Sequence, residues 1–267
     1  METENSDIKA LILDMDGVLW RQNLPIGNLP SIFNKIEKSG YQVVLVTNNA
    51  TFSVPQYLEK LEGFGVKLHA EQIINSSQAA LHYLANIYPK GGPIYIIGEE
   101  GLIQTLAKGN FYPAEKNVLA VIVGMDRQLT FDKLSKATLL IRAGAKFIGT
   151  NADRTFPVPE GLIPGVGAIL GALEIASGVK PVVVGKPAPE MYRIALGRMA
   201  IGPQQALVVG DRLETDILGA QQLGCKTALV LSGVTSLDAA KDWKPPPDWI
   251  VPDLSHLIEI INEKATL

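Results

Sequence analysis

Two carboxylates follow the first apolar run of the chain, and their spacing suits phosphoryl transfer. Residues 10–13 are Ala-Leu-Ile-Leu, and Asp14, Met15, Asp16 and Gly17 come next. Acids two residues apart on a strand point to one side, and their mutual repulsion favours a bound cation or one retained proton. One carboxylate could then attack phosphorus while the other protonates the leaving oxygen and later activates water. The alternative for this motif is an Asx-rich turn.

Neutral hydrogen-bonding side chains follow the second apolar run. Thr47, Asn48 and Asn49 come directly after it. Hydroxyl, amide and backbone N–H groups can bind phosphate oxygens without adding charge that would quench a nucleophilic carboxylate. The alternative is a helix N-cap and turn, a task that Thr51 or Ser53 could equally perform.

A lysine and two further acids follow later apolar runs. Lys186 comes after residues 181–184, and its ammonium would neutralise a phosphate, although a solvent-exposed lysine is the alternative. Asp211 ends the run at residues 206–209, and Asp216 falls on the helix that we expect after it. Carboxylate oxygens with retained waters are what Mg²⁺ prefers, so these acids are candidate ligands.

Strand-length apolar runs alternate with amphipathic helix-length segments, which is typical of βα units and a parallel sheet. We predict an α/β fold with a Rossmann-like parallel-sheet core and an inserted, smaller α/β cap domain. The predicted strands are residues 10–13, 42–46, 94–97, 118–123, 146–148, 181–184, 206–209, 227–231 and 249–251. Because the pattern restarts near residue 94, we assign residues 1–79 and 181–267 to the core and 80–180 to the cap.

All four polar segments end predicted strands or open helices, and ligands of open α/β sheets bind beyond the carboxyl ends of the strands. This conjunction is far more specific than any single motif. The sequence resembles the haloacid dehalogenase superfamily of phosphatases, whose four motifs match Asp14-Met15-Asp16-Gly17, Thr47-Asn48-Asn49, Lys186-Pro187 and Gly210-Asp211 through Thr215-Asp216. The insertion is similar to that of the branch with para-nitrophenyl, phosphoglycolate, pyridoxal phosphate and NagD-type phosphatases, with markers at residues 98–101, 150–153 and 161–168.

The resemblance implies a role for each matching residue. Asp14 would be the nucleophile and a metal ligand, and Asp16 the general acid and base and a ligand through its main-chain carbonyl. The remaining implied roles are phosphate binding by Thr47, Asn48 and Asn49, charge compensation by Lys186, magnesium ligation by Asp211 and orientation of a metal-bound water by Asp216.

Within the cap, residues 150–154 are candidates for contact with the leaving group of the substrate. Asn151 and Asp153 carry this prediction, and a plain turn at a strand end is the alternative. The glycine-rich stretch 161–168 lacks the Lys-Ser or Lys-Thr ending of a nucleotide-binding loop, so its glycines predict a turn and close packing at the start of a helix.

Composition limits the partners and the compartment. The net charge of −3 gives no basic face for nucleic acid, and the single Cys225 excludes an internal disulfide. Residues 1–9 are polar and acidic, unlike a signal peptide, and the apolar stretch 165–178 is too short to cross a bilayer and carries Glu174. We therefore expect a cytoplasmic protein with neither a nucleic-acid nor a membrane partner.

The expected function is magnesium-dependent hydrolysis of a small phosphorylated metabolite through an aspartyl-phosphate. A receiver-like module also uses an aspartate with Thr and Lys, but it would need neither the long insertion nor an acid at position 16. A catalytically idle module that senses a phosphate ligand is the other alternative. The sequence does not identify the physiological substrate, and it leaves the oligomeric state open, a homo-oligomer included.

Overall fold

The computed structural model describes residues 8–158 and 161–264. The strands are β1 (Ala10–Leu13), β2 (Trp20–Arg21), β3 (Leu24–Pro25), β4 (Gln42–Thr47), β5 (Ile73–Asn75), β6 (Gly92–Ile97), β7 (Phe111–Pro113), β8 (Ala120–Val123), β9 (Lys146–Gly149), β10 (Thr155–Val158), β11 (Gly161–Pro164), β12 (Val182–Val183), β13 (Ala206–Gly210), β14 (Lys226–Val230) and β15 (Trp249–Val251). The α-helices are α1 (Leu29–Lys38), α2 (Val54–Gly63), α3 (Ser76–Ile87), α4 (Glu100–Ala107), α5 (Phe131–Arg142), α6 (Val166–Ser177), α7 (Glu190–Met199), α8 (Leu218–Leu223), α9 (Leu237–Asp242) and α10 (Leu254–Lys264).

The chain divides into two compact units. The first comprises the described residues of Met1–Thr47, Val54–Ile74 and Tyr192–Leu267, and the second comprises Asn48–Ser53 and Asn75–Met191. The second unit extends beyond both ends of the predicted cap, because α3 packs against α4 and because β12 pairs with β9.

The first unit is built on a six-stranded sheet in the order β15-β14-β13-β1-β4-β5. Strand β1 lies between β13 and β4 and is parallel to both, with Leu13 opposite Val209 and Leu45. Every residue of β1 is buried, since a parallel sheet is covered on both faces. The apolar run that predicted this strand therefore reflects its central place in the core.

Helix α1 shows how the local sequence fixes an element of this unit. Its N-cap Asn28 accepts a hydrogen bond from the backbone N–H of Ser31 at 3.0 Å. Leu29, Ile32 and Ile36 recur at helical spacing and are the buried residues of the helix. These residues place α1 on the sheet with its apolar side inward.

The second unit has its own five-stranded parallel sheet, in the order β12-β9-β8-β6-β7. Its centre, β8, is fully buried. Helix α6 contributes Leu170 and Leu173 to the apolar core of this unit and is followed by Gly178, which has the left-handed conformation common after helices. The antiparallel hairpin of β10 and β11 precedes α6.

The α/β fold with a Rossmann-like parallel-sheet core is confirmed, whereas the position of one predicted strand is wrong. Residues 181–184 were expected to return the chain to the first sheet, but Val182 pairs with Ile148 of β9 in the second sheet. An apolar run predicts a buried strand without indicating which sheet receives it.

Two further observations concern burial. The apolar stretch 165–178 forms the packed helix α6 and its flanking glycines. Cys225 is buried, and burial raises the pKa of its thiol to about 11, which disfavours the thiolate. Within the described residues, every helix is too short or too polar to span a bilayer.

Candidate active site

Three buried carboxylates of the first unit lie together at the carboxyl ends of neighbouring strands. Asp14 follows β1, Asp211 follows β13, and Asp216 lies five residues farther along the chain. One oxygen from each lies within 4.8 Å of the other two, and the residues are only 8%, 2% and 1% exposed. Like charges held so close and away from water require a cation or a proton between them.

The loop after β14 holds Asp211 in place. The backbone N–H of Val234 donates to Asp211 Oδ2 at 2.8 Å, and the hydroxyl of Thr235 donates to the Asp211 carbonyl at 2.6 Å. A Cβ at Gly233 would overlap this carboxylate, and one at Gly17, whose φ is +82°, would lie 2.5 Å from its Oδ2. Both glycines are therefore needed for the close approach of backbone and carboxylate.

Asp216 lies in a π-helical turn, Leu213–Ile217, that precedes α8, and not in a regular helix as expected. The backbone N–H of Arg212 donates to Asp216 Oδ2 at 3.1 Å, and the hydroxyl of Tyr192 donates to the Asp216 carbonyl at 3.1 Å. A Cβ at Gly210 would overlap the Asp216 side chain. Such wide turns occur frequently at functional sites, and here the turn folds the carboxylate back over the strand end.

The donor set of this cluster fits Mg²⁺. All three side chains supply hard carboxylate oxygens, and the sequence places no sulfur or imidazole ligand among them. Burial of three acids together is costly without a cation, so the chemistry of the site matches a divalent metal.

Asp16 is exposed and has an aromatic partner. The indole nitrogen of Trp20 donates to Asp16 Oδ1 at 2.9 Å, and Trp20 itself is buried. The ammonium of Lys60 lies 4.3 Å from the centre of the Trp20 ring. Burial lowers the pKa of Lys60, and the charge of Asp16 opposes that shift. Sequence reasoning missed Trp20 and Lys60, because nothing in their spacing marks them as partners of an acid.

Thr47 ends β4 at the same edge of the sheet as Asp14. Leu13 and Leu45 are paired, so Thr47 lies just beyond the level of Asp14 on the adjacent strand. The Thr47 side chain is buried. This position agrees with the placement expected for a phosphate-binding hydroxyl.

A second polar cluster lies entirely within the second unit. Asn48 Oδ1 accepts from the backbone N–H of Lys186 at 2.8 Å, and Asn48 Nδ2 donates to the Lys186 carbonyl at 3.1 Å. Both carboxylate oxygens of Asp153 lie 3.4 Å from Asn48 Nδ2. Asn151 Nδ2 donates to the Asn48 carbonyl at 2.9 Å. The structure thus brings together two predicted phosphate-binding residues and both predicted recognition residues of the cap.

The side chain of Asn49 closes a local turn. Its Oδ1 accepts from the backbone N–H of Thr51 at 3.0 Å and from the Thr51 hydroxyl at 2.6 Å. This is the local turn that was the alternative to phosphate binding for residues 47–49. A contact between Asn49 and phosphate stays a prediction.

The glycine-rich stretch before α6 packs closely against the loop that carries Asp153. The backbone N–H of Gly167 donates to the Asp153 carbonyl, and that of Gly165 donates to the Arg154 carbonyl, each at 2.9 Å. A Cβ on either glycine would overlap the backbone of this loop. The prediction of close packing near the start of the helix is confirmed.

Comparison with known proteins gives matches along nearly the whole chain. Residues 11–112 match the family "Haloacid dehalogenase-like hydrolase", and residues 183–257 match "HAD-hydrolase-like". The chain is 35% identical to the chloroplastic phosphoglycolate phosphatase 1A of Arabidopsis thaliana, over 99% of this chain and 81% of that protein.

Two solved structures show the same fold. The p-nitrophenyl phosphatase of Archaeoglobus fulgidus has a TM-score of 0.89 at 32% identity, over 95% of this chain and 99% of that one. The glycerol phosphate phosphatase of Mycobacterium tuberculosis in complex with magnesium has a TM-score of 0.88 at 34% identity, over 96% of this chain and 78% of that one.

Proposed function

Since the chain belongs to the haloacid dehalogenase-like hydrolases, in their phosphatase branch, we propose that it is a magnesium-dependent phosphomonoesterase that forms an aspartyl-phosphate on Asp14. The observation that carries the proposal is the buried cluster of Asp14, Asp211 and Asp216. Apolar residues would pack this space at lower cost than three carboxylates, so packing alone does not explain the cluster.

In the proposed first step, a carboxylate oxygen of Asp14 attacks the substrate phosphorus. The bond from phosphorus to the ester oxygen breaks, and that oxygen leaves with the bonding electrons and takes a proton from Asp16. In the second step, Asp16 takes a proton from a water molecule that attacks the same phosphorus. The bond to Asp14 then breaks, and inorganic phosphate leaves.

We assign Thr47 and the backbone around Asn48 and Asn49 to binding of the phosphoryl oxygens, and Lys186 to compensation of their charge. The matching motifs and the position of Thr47 at the carboxyl end of β4 support these roles.

Asp14, Asp211 and the main-chain carbonyl of Asp16 would hold Mg²⁺, and Asp216 would orient a water on it. When bound, the ion would offset negative charge on the phosphoryl group and on the carboxylates.

The proposed substrates are small phosphorylated metabolites. Relatives are named for phosphoglycolate and for glycerol phosphate, both of which are small phosphomonoesters. We infer that a phosphoprotein would be a poor substrate, since a separate cap unit is suited to selecting small leaving groups. Location in the cytoplasm stays a prediction.

Replacement of the proposed nucleophile tests this function. Asp14→Asn nearly preserves shape while removing the attacking oxygen anion, so turnover should fall by at least about 10⁴-fold, in line with other covalent catalysts. Turnover would be measured on a panel of phosphomonoesters with Mg²⁺ and with chelator. The exposed Asp238→Asn serves as the matched control and should keep wild-type activity.

A phosphorylated intermediate provides the second measurement. Brief incubation of the wild-type enzyme with labelled substrate should leave acid-stable label on the protein, and Asp14→Asn should leave none. Activity of Asp14→Asn near that of the wild type would refute the assignment. Wild-type protein without turnover on any phosphomonoester would favour the idle, ligand-sensing alternative.

A further inference from the structure

We propose that the side-chain amide of Asn48 positions Lys186, and that it does not itself bind the substrate phosphate. The inference rests on the proposed function, because Lys186 matters only if its ammonium acts on the phosphoryl group. It changes the role of Asn48 from a ligand of the substrate to a support for another residue.

The amide of Asn48 pairs with the backbone of Lys186 at two points. Lys186 donates its N–H to Asn48 Oδ1 at 2.8 Å, and Asn48 Nδ2 donates to the Lys186 carbonyl at 3.1 Å. This pattern repeats the exchange of two hydrogen bonds between paired strand residues. Since both residues are buried, the two bonds are shielded from water and fix the backbone of Lys186.

Both N–H donors of the Asn48 amide are directed at protein groups. A carboxamide has two N–H donors and one acceptor oxygen. One N–H donates to the Lys186 carbonyl, and the other is directed at the Asp153 carboxylate, 3.4 Å away. The amide oxygen accepts from the Lys186 N–H. A phosphate contact from this residue therefore falls to its backbone N–H.

The main chain of Asn48 is held from a second side. Its carbonyl oxygen accepts from the Ser76 hydroxyl at 2.7 Å and from Asn151 Nδ2 at 2.9 Å. Asn151 Oδ1 in turn accepts from the backbone N–H of Asp153 at 3.1 Å. The amide of Asn151 thus bonds to protein groups through its oxygen and one N–H, and the proposal assigns it a second positioning role.

Gly185 allows the loop of Lys186 to lie this close. A Cβ at Gly185 would be 2.7 Å from Asn48 Oδ1 and 3.1 Å from the Cβ of Asn151. The three segments therefore pack as one block around the backbone of Lys186. Because a lysine side chain has many rotamers, a fixed backbone is what keeps its ammonium within reach of one target.

A double-mutant cycle separates positioning from direct binding. Lys186→Met keeps side-chain length and removes the charge. Asn48→Ala removes both side-chain hydrogen bonds to the Lys186 backbone. We expect Asn48→Ala to lower kcat/KM about 10²-fold in the wild-type background, since small misplacements near the chemistry have costs of that size. In the Lys186→Met background the same change should lower kcat/KM by less than about threefold. Independent, multiplicative losses would overturn the proposal.

Near-isosteric variants keep the test valid if Asn48→Ala fails to fold. Asn48→Asp retains the acceptor for the Lys186 N–H but loses both donors, so its kcat/KM should fall to nearly the level of Asn48→Ala.

Asn151→Ala should reduce turnover of p-nitrophenyl phosphate and of an alkyl phosphate by the same factor, because in this proposal Asn151 contacts no leaving group. A loss confined to one substrate would overturn the role given to Asn151. Asn86→Ala, an exposed amide on α3, is the matched control and should match the wild type.

Thermal unfolding distinguishes failure of this inference from failure of the proposed function. Asn48→Ala and Asn151→Ala should lower Tm by less in combination than the sum of their separate effects, because each breaks the same block. This coupling does not depend on turnover. Additive shifts in Tm would overturn the inference, whereas coupled shifts in a protein without phosphatase activity would overturn only the proposed function.

Discussion

The two oxygens of the Asp16 carboxylate are not equivalent. Oδ1 receives the indole N–H of Trp20 at 2.9 Å, and an indole nitrogen can donate but not accept. In the proposed mechanism, Oδ2 is therefore the oxygen of Asp16 that would exchange a proton with the leaving group. A buried aromatic ring thus fixes the direction of this carboxylate.

The variant Trp20→Phe tests this at the scale of a single bond. Phenylalanine retains an aromatic ring but lacks the indole N–H donor. The carboxylate of Asp16, the proposed general acid, should then be poorly oriented. Proton donation matters more for a poor leaving group, so kcat for an alkyl phosphate should fall roughly tenfold more than the rate of enzyme phosphorylation by p-nitrophenyl phosphate. Trp243→Phe also loses an indole contact, 3.4 Å from Gln221, and should change neither rate. Equal losses with both substrates would contradict the role of Trp20.

The elements of the site depend on glycines where backbone meets carboxylate. Gly233→Ala should push its Cβ into Asp211, at a cost in stability of about 1–3 kcal/mol and a loss of kcat/KM on the order of 10²-fold. Gly171→Ala is the matched control, because its Cβ meets no atom within 4 Å inside α6. That control should gain about 0.5–1 kcal/mol of stability with unchanged turnover. Gly233→Ala with full activity would show that Asp211 tolerates displacement.

Helix α10 has a capping residue that should make its stability depend on pH. Asp253 Oδ1 accepts from the backbone N–H of His256 at 3.0 Å and from its Nδ1 at 2.9 Å. The hydrogen bond to Asp253 and its negative charge raise the pKa of His256. Burial raises the pKa of Asp253, but the bonds and charge from His256 outweigh burial and lower it.

The sign of the effect follows from the raised pKa of His256. A group with a raised pKa in the folded state stabilises the fold below its unfolded pKa of about 6.5, and this contribution disappears as pH rises through the folded pKa. The Tm difference between wild type and His256→Ala should therefore be largest near pH 5.5 and smallest near pH 8.5. Asp253→Ala should cost about 1 kcal/mol through the lost cap, whereas Asp253→Asn should retain most of it. A pH-independent Tm difference for His256→Ala would refute the charge argument.

The elements also show what sequence could and could not predict. Strands β1, β8 and β13 are buried along their whole length, so their continuous apolar runs identified them. Short strands such as β5 and the hairpin of β10 and β11 have too few residues for a period to be recognised. The site divides in the same way: acids at strand ends were predicted, whereas the partners Val234 and Thr235 lie far along the chain from Asp211.

At the scale of the whole molecule, two parallel sheets with separate apolar cores divide the predicted chemistry. The first unit holds the acids Asp14, Asp211 and Asp216. The second holds Asn48 and the backbone of Lys186, which are joined by hydrogen bonds. The boundary between the units in sequence falls between Thr47 and Asn48, inside one motif. A motif that reads as continuous in sequence is thus shared by two packing environments, which no local pattern reveals.

The free energy of unfolding of the whole protein should depend on the charge of the acidic cluster and on the Mg²⁺ concentration. Buried carboxylates repel each other without a cation, so Mg²⁺ at 100 times its Kd should add about 2.7 kcal/mol to the free energy of unfolding. For a chain of this size that corresponds to a rise in Tm of roughly 5–10 °C. Asp211→Asn keeps an acceptor for the N–H of Val234 but removes one charge, so it should melt above the wild type in chelator and gain little from Mg²⁺.

The two curves of Tm against Mg²⁺ concentration should therefore cross, with Asp211→Asn the more stable at zero metal and the wild type the more stable at saturation. A mutation that merely damaged packing would lower Tm at every concentration, so the crossing separates metal binding from structural loss. Asp238→Asn, which removes an exposed charge, should follow the wild-type curve throughout. Parallel curves for the wild type and Asp211→Asn would mean that Asp211 does not ligate the ion, and the assignment of the acidic cluster as a magnesium site would then fail.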